Sequence, residues 1–183
     1  NVLQACASLS ALNLGKMLHC YILRRNLNSI LPVTSALMTA YAKCGKLDSA
    51  QVIFDQMDKR DVVSWNTLIS SYGIRGHGSK AVEIFEEMIS RGIKPTSISF
   101  VSVLGACSHA GLVDEGKRLF ESMKKYGISP GIEHYASMVD MLGRANKLPE
   151  ETKFIDNRRN EPDEKIRGTM LGAGRSQQNS ELD

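Results

Sequence analysis

SALMTAYAKCG at residues 35–45, NTLISSYGIRG at 66–76 and VSVLGACSHAG at 101–111 are three writings of one passage. Counting on from Ser35, Asn66 and Val101, the same slots are filled by Ala50, Ala81 and Gly116, then by Phe54, Phe85 and Phe120, then by Met57, Met88 and Met123. The register is therefore held through each unit. The copies start 31 and 35 residues apart, and a further 35 reaches Ala136, where ASMVDMLGRAN follows with Ile155 in the Phe slot. Backwards, NVLQACASLSALNLGK aligns with SVLGACSHAGLVDEGK, so the chain is expected to begin inside a repeat, and the lack of a targeting peptide says nothing about compartment.

Repeats of this length are supersecondary units that bury their apolar faces only by stacking on neighbours, which predicts an all-α solenoid of helix-turn-helix repeats. In the unit from Val62, Leu68, Ile69 and Tyr72 recur at helical spacing up to GIRGHG, whose three glycines are expected to break the helix. A second helix then carries Ala81, Ile84, Phe85 and Met88 on one stripe and stops at Gly92 and Pro95, a pairing repeated as Gly127 and Pro130. Ala50 and Ala81 are expected where two helices approach closely, with Phe54 and Phe85 supplying buried bulk. A fifth unit opens with Tyr135, Met138, Val139 and Leu142 on one face, but Arg158 occupies its Met slot. Residues 163–183 carry few apolar anchors and read as a frayed cap or a degenerate repeat.

The composition sets bounds. With 183 residues, 42% of them hydrophobic, the chain can bury a core, here a continuous strip between hairpins. No apolar run is long enough to span a bilayer, so no membrane partner is expected. A net charge of +3 permits a polyanionic partner without demanding one. Cys6, Cys20, Cys44 and Cys107 form no CxxC pair; Cys6 and Cys107 fill equivalent apolar slots and read as small buried hydrophobes of a reducing compartment rather than as disulfides or metal ligands. His19, His77, His109 and His134 sit in different units without a metal-ligand pair. The HxE and PCxxC strings of a zinc deaminase, a Walker loop and a nucleophile elbow are all missing. The expectation is a chain with no catalytic residue, metal, cofactor or small-molecule substrate.

AYAKCGKLDSAQVIFDQM, VVSWNTLISSYG with EIFEEMISRGIKP, and SVLGACSHAGLVDEGKRLF together resemble pentatricopeptide repeats, in particular the plant subclass in which long, short and ordinary motifs alternate. The resemblance implies a right-handed α-solenoid divided into units 1–30, 31–61, 62–96, 97–131 and 132–162, with DMLGRANKL similar to a terminal short motif and GTMLGAGRSQQNSEL to the start of an extension motif. It further implies binding of single-stranded organellar RNA, one base per repeat, by side chains of the first helices lining a groove.

Carried onto this sequence, the fifth and last residues of a motif read the base and the second packs against it. Ser35 with Asp61 then favours guanine and Asn66 with Thr96 a pyrimidine, with Pro32 and Val63 as packing residues. Val101 with Gly131, and Ala136, are weak or non-reading equivalents, and Glu133 would repel phosphate if it faced the groove. The implied role is a specificity factor for cytidine-to-uridine editing in a mitochondrion or plastid, engaging editing-factor proteins and drawing a deaminase from elsewhere. The alternatives are a structural subunit of an organellar ribonucleoprotein such as the mitochondrial ribosome, and a protein-binding helical scaffold.

Overall fold

The computed structural model describes residues 11–145, so the expectations for Cys6, Ile155, Arg158 and the 163–183 tail lie outside the described residues. Those described form eight α-helices: α1 (Leu12–Arg24), α2 (Leu31–Lys43), α3 (Leu47–Asp55), α4 (Val62–Ile74), α5 (Gly78–Ser90), α6 (Ser97–Ala110), α7 (Val113–Ser122) and α8 (Ile132–Arg144). Two short 3₁₀ turns, Leu27–Ser29 and Met123–Tyr126, complete them, and the described residues contain no strand.

The helices pair as hairpins, α2 with α3, α4 with α5 and α6 with α7. Along the array α2, α4, α6 and α8 stack side by side, while each second helix also leans on the first helix of the next unit. This is the stacked-hairpin solenoid that the repeat register predicts. Its core is the strip between the two layers, where Met38, Trp65, Leu68, Ile69, Phe85, Met88, Phe100 and Leu104 are sealed from solvent.

Local chemistry sets the helix starts. Asp61 caps α4 by accepting from the Ser64 backbone N–H at 2.9 Å, and Thr96 and Ser99 form a reciprocal capping box on α6. Before α8 the Gly131 N–H donates to His134 Nδ1 at 2.9 Å. The buried imidazole therefore carries its proton on Nε2, which faces the Ser97 carbonyl oxygen of the preceding unit at 3.0 Å.

The ends of α2, α4 and α6 share one closure. Lys46, His77 and Leu112 donate backbone N–H bonds to the carbonyls of Tyr41, Tyr72 and Cys107 at 2.8, 3.0 and 2.9 Å, across the left-handed residues Gly45, Gly76 and Gly111. That is the Schellman stop, which a Cβ would strain. The expectation for GIRGHG needs correcting here: of its glycines only Gly76 adopts positive φ. Gly73 lies inside α4 and Gly78 opens α5, and both are there for proximity rather than for turning. A Cβ on Gly73 would sit 2.7 Å from the Ala106 Cβ, and one on Gly78 would sit 2.4 Å from the Ala110 Cβ. Small residues facing small residues draw α6 onto the α4–α5 hairpin. Ala50 and Ala81 are fully buried, as a close approach requires.

Aromatic side chains join the units. Phe54 meets Trp65, Phe85 meets Phe100 and Phe120 meets Tyr135 edge-on, with centroids 4.8, 5.2 and 5.3 Å apart. Each pair links a second helix to the first helix of the following unit, in the geometry that ring quadrupoles favour. Arg75 adds a polar tie: its Nε donates to the Ala42 carbonyl at 2.9 Å and its Nη2 to that of Lys43, so the end of α4 caps the end of α2.

Candidate nucleic-acid interface

The outward side of the first-helix layer carries a cleft of about 480 Å³ running across α2, α4 and α6, with Val63, Asn66, Ser70, Ile98, Ser102 and Lys43 among its walls. Helical periodicity puts these side chains there. Trp65, Leu68 and Ile69 turn the opposite side of α4 into the core, which leaves Val63, Asn66 and Ser70 on the open stripe.

Asn66 is only 8% exposed, and its Oδ1 is buried without a hydrogen-bond partner. Ser35, one unit earlier at the same register, is 9% exposed with its Oγ in the same condition. Among the described residues these are the two buried side-chain polar atoms left unpaired. Such an atom costs about 1–3 kcal/mol. Native structures keep orphans of this kind where something else completes them.

Beside Asn66 stand two apolar side chains that the fold does not cover: Val63 is 54% exposed and Ile98 66%. They occupy the second position of α4 and α6 respectively. An amide edge between two exposed aliphatic groups suits a flat heteroaromatic ring, whose faces are apolar and whose rim is polar. Thr96 lines the same cleft, but its hydroxyl also serves the α6 cap, with Ser99 N–H at 3.4 Å and Ser99 Oγ at 3.2 Å.

The cleft thus brings together Val63, Asn66 and Thr96; Pro32, Ser35 and Asp61 are not among its walls. Pro32 is exposed in the first turn of α2. Asp61 takes both the N–H and the hydroxyl of Ser64 on the same oxygen, Oδ1. At the equivalent register Val101 is half-buried, Ala136 and Glu133 are exposed, and Gly131 precedes α8. Sequence reasoning missed Ile98, Lys43, Ser70, Ile74 and Ser102 among the walls; for Ile98 the slot it shares with Pro32 and Val63 was the available signal.

Charge is distributed by layer. α4 and α6 contain no Asp, Glu, Lys or Arg, and Lys43 supplies the cleft's cation at the end of α2. Carboxylates gather on the second helices, where Glu83, Glu86, Glu87 and Glu115 pair with Lys80, Arg91 and Arg118. The cleft is therefore free of the anions that would turn a polyanion away.

Burial, aided by the Glu115 carboxylate, pushes the Cys107 thiol up to about 12, so it stays protonated as a core hydrophobe. Cys107 is thus buried as its apolar slot predicts, while Cys20 is exposed and Cys44 half-buried. The described residues hold no cluster of His, Cys, Asp or Glu able to bind a metal ion, and none of their helices is long and apolar enough to cross a membrane.

Family models for the PPR repeat match residues 33–62 and 98–128, and one for the PPR repeat family matches residues 60–109. The chain belongs to the pentatricopeptide-repeat family. Over all 183 residues it is 62% identical to the Arabidopsis thaliana pentatricopeptide repeat-containing protein CRR2, chloroplastic, of which it covers 28%. It is 46% identical to the pentatricopeptide repeat-containing protein At3g53360, mitochondrial, of the same plant, covering 24% of it. Among solved structures it is similar to the pentatricopeptide repeat protein PPR10 in complex with an 18-nt psaJ RNA element, with a TM-score of 0.67 and 27% identity over 76% of this chain and 21% of that one. The chain thus spans about a quarter of the length of the pentatricopeptide-repeat relatives it matches.

Proposed function

We propose that this chain is an RNA-holding segment of an organellar pentatricopeptide-repeat protein, gripping single-stranded RNA along its first helices with units 31–61, 62–96, 97–131 and 132–162 set one per nucleotide. The observation that carries this reading is the pair of unpaired buried polar atoms, Asn66 Oδ1 and Ser35 Oγ, at one register in consecutive units. Support comes also from the RNA complex named for PPR10 and from the plastid and mitochondrial names of the relatives.

In this reading Asn66, with Thr96 at the rim, holds a pyrimidine edge between Val63 and Ile98. Oδ1 accepts from uracil N3–H or cytosine N4–H, while the amide nitrogen donates to the neighbouring acceptor. Ser35 with Asp61 takes a guanine, packed by Pro32. Val101 with Gly131, and Ala136, offer no hydrogen-bonding side chain and hold their nucleotides without reading them. The biological role is to supply specificity for cytidine-to-uridine editing by a deaminase carried elsewhere, with editing-factor proteins as partners. The exposed Ala136 and Glu133 favour a second reading, a structural subunit of an organellar ribonucleoprotein.

The test uses the full chain and adenosine oligomers carrying one guanosine–uridine step in either order, read by fluorescence anisotropy. Replacing either designated base is expected to weaken binding about tenfold, near the lower end of what a well-read base contributes. Ser35→Asn is expected to move the preference at its base from guanine to uracil. Equal affinities across the panel sink base reading and leave the ribonucleoprotein role. RNA binding that is weak at every salt concentration, with no slope, sinks both and leaves a protein scaffold.

A further inference from the structure

Between Val63 and Ile98 at one end of the cleft and Lys43 at the other, the wall carries five hydroxyls, Thr39, Thr67, Ser70, Ser71 and Ser102, along with Ala42 and the exposed Ile74. Most spend their protons on their own helix. Thr39 donates to the Ser35 carbonyl at 3.0 Å, Thr67 to that of Val63 at 2.8 Å and Ser71 to that of Thr67 at 2.6 Å. Ser70 and Ser102 differ. Ser70 Oγ, one turn beyond Asn66, donates across the joint between α4 and α6 to Ser102 Oγ at 3.1 Å. Ser102 lies one turn beyond Ile98 and is the acceptor in that bond, which leaves its own hydroxyl proton outside the pair.

A nucleotide carries groups that suit these walls: a base with apolar faces and a polar rim, a hydroxylated sugar, and an anionic phosphate. With the base edge on Asn66 and its faces against Val63 and Ile98, the sugar comes to rest over the Ser70–Ser102 pair on the way to the Lys43 end. A hydroxyl pair with one proton outside its own bond and unfilled oxygen lone pairs complements a group that both accepts and donates, which a ribose 2′-hydroxyl does and a deoxyribose carbon does not. We propose that Ser70 and Ser102 form a ribose site that selects RNA over single-stranded DNA at the nucleotide held by Asn66. The proposal rests on the RNA-binding reading above. The unpaired, nine-tenths buried Asn66 Oδ1 in the same cleft is the independent sign of a ligand there.

The deciding experiment is a double-mutant cycle between protein and oligonucleotide. The full chain and its S70A/S102A variant are each titrated with the guanosine–uridine adenosine oligomer and with the same oligomer carrying 2′-deoxyuridine at that single position. In the unaltered chain the deoxy substitution is expected to weaken binding about three- to tenfold, the worth of one or two hydrogen bonds. In S70A/S102A it is expected to change nothing further. An equal deoxy effect in both proteins overturns the proposal while leaving RNA binding standing, as does the absence of a deoxy effect in the unaltered chain. Failure of the all-ribose oligomer to bind overturns the RNA reading and the ribose site with it. A 2′-O-methyl uridine probe on the unaltered chain needs no variant to fold: it removes the donor and adds bulk, so binding as tight as to ribose overturns the site.

Discussion

Gly78→Ala and Gly105→Ala are the same chemical change, one methyl added to a glycine of a first or second helix, and they should have opposite signs. A Cβ on Gly78 would lie 2.4 Å from the Ala110 Cβ, 2.9 Å from the Ala106 carbonyl oxygen and 3.0 Å from Leu112 Cδ1. Carbon atoms settle at about 3.5–4.0 Å, so relieving the first contact means moving α5 and α6 apart by about 1 Å. Overpacking of that kind costs about 1–3 kcal/mol, against about 0.5–1 kcal/mol regained by replacing a helical glycine. The net loss is about 1–2 kcal/mol. Gly105 is inside α6 with nothing within 4 Å of its notional Cβ, so only the helical gain of about 0.5–1 kcal/mol applies. For a chain of this length each kcal/mol is worth about 2–4 °C in Tm. Circular dichroism melts should therefore place G78A about 2–8 °C below the unaltered chain and G105A about 1–4 °C above it. Ala110→Gly added to G78A should recover part of the loss, because it removes the methyl met at 2.4 Å. A G78A chain melting at or above the original, or both variants moving the same way, would refute the view that glycine here is kept for interhelical proximity.

Removing the orphaned acceptor with Asn66→Ala should leave Tm unchanged or raise it by about 1–3 °C while RNA affinity falls about tenfold; a melt and an anisotropy titration on the same preparation show whether the two separate. Arg75→Ala uncaps α2 and should cost about 1 kcal/mol in urea unfolding, with little dependence on salt. Arg118→Ala, which removes half-exposed pairs to Glu86 and Glu115, should cost less than that and lose its effect in 1 M salt. The Ser108 hydroxyl, together with Arg144, holds the Asp140 carboxyl below its ordinary value of 3.8. A depressed native value contributes stability above the ordinary value and loses it as pH falls through the native one. The Tm gap between the unaltered chain and Ser108→Ala should thus be open at pH 7 and close as the pH drops below 3.8; a gap constant with pH would assign the Ser108 effect to packing alone.

Much of the architecture was legible because a solenoid repeats its physics at a fixed spacing. One register placed Phe54, Phe85, Ala50 and Ala81 in the core strip and Gly45, Gly76 and Gly111 at three identical helix ends. The failures occurred where one residue type serves two physical ends. Gly73, Gly76 and Gly78 look alike in GIRGHG, yet only Gly76 turns the chain; the others make room for Ala106 and Ala110, more than 25 residues away, and a pattern read within one unit contains no neighbour. Arg75 was opaque for the same reason, since its acceptors Ala42 and Lys43 belong to the previous unit. The partners of the three phenylalanines were written at a single slot, as Trp65, Phe100 and Tyr135, but their meaning as joints appears only once adjacent units touch. The same holds for the cleft. The family resemblance nominated Asn66 and Val63 by their places in the motif; the chemistry that makes the place a candidate site, an acceptor buried without a partner between two exposed aliphatic walls, belongs to no single repeat. Its second wall, Ile98, and its hydroxyl tie, Ser102, are supplied by the next unit. A binding site in such an array is a property of the joint between repeats, so a substitution on α6 should alter how the nucleotide assigned to α4 is held.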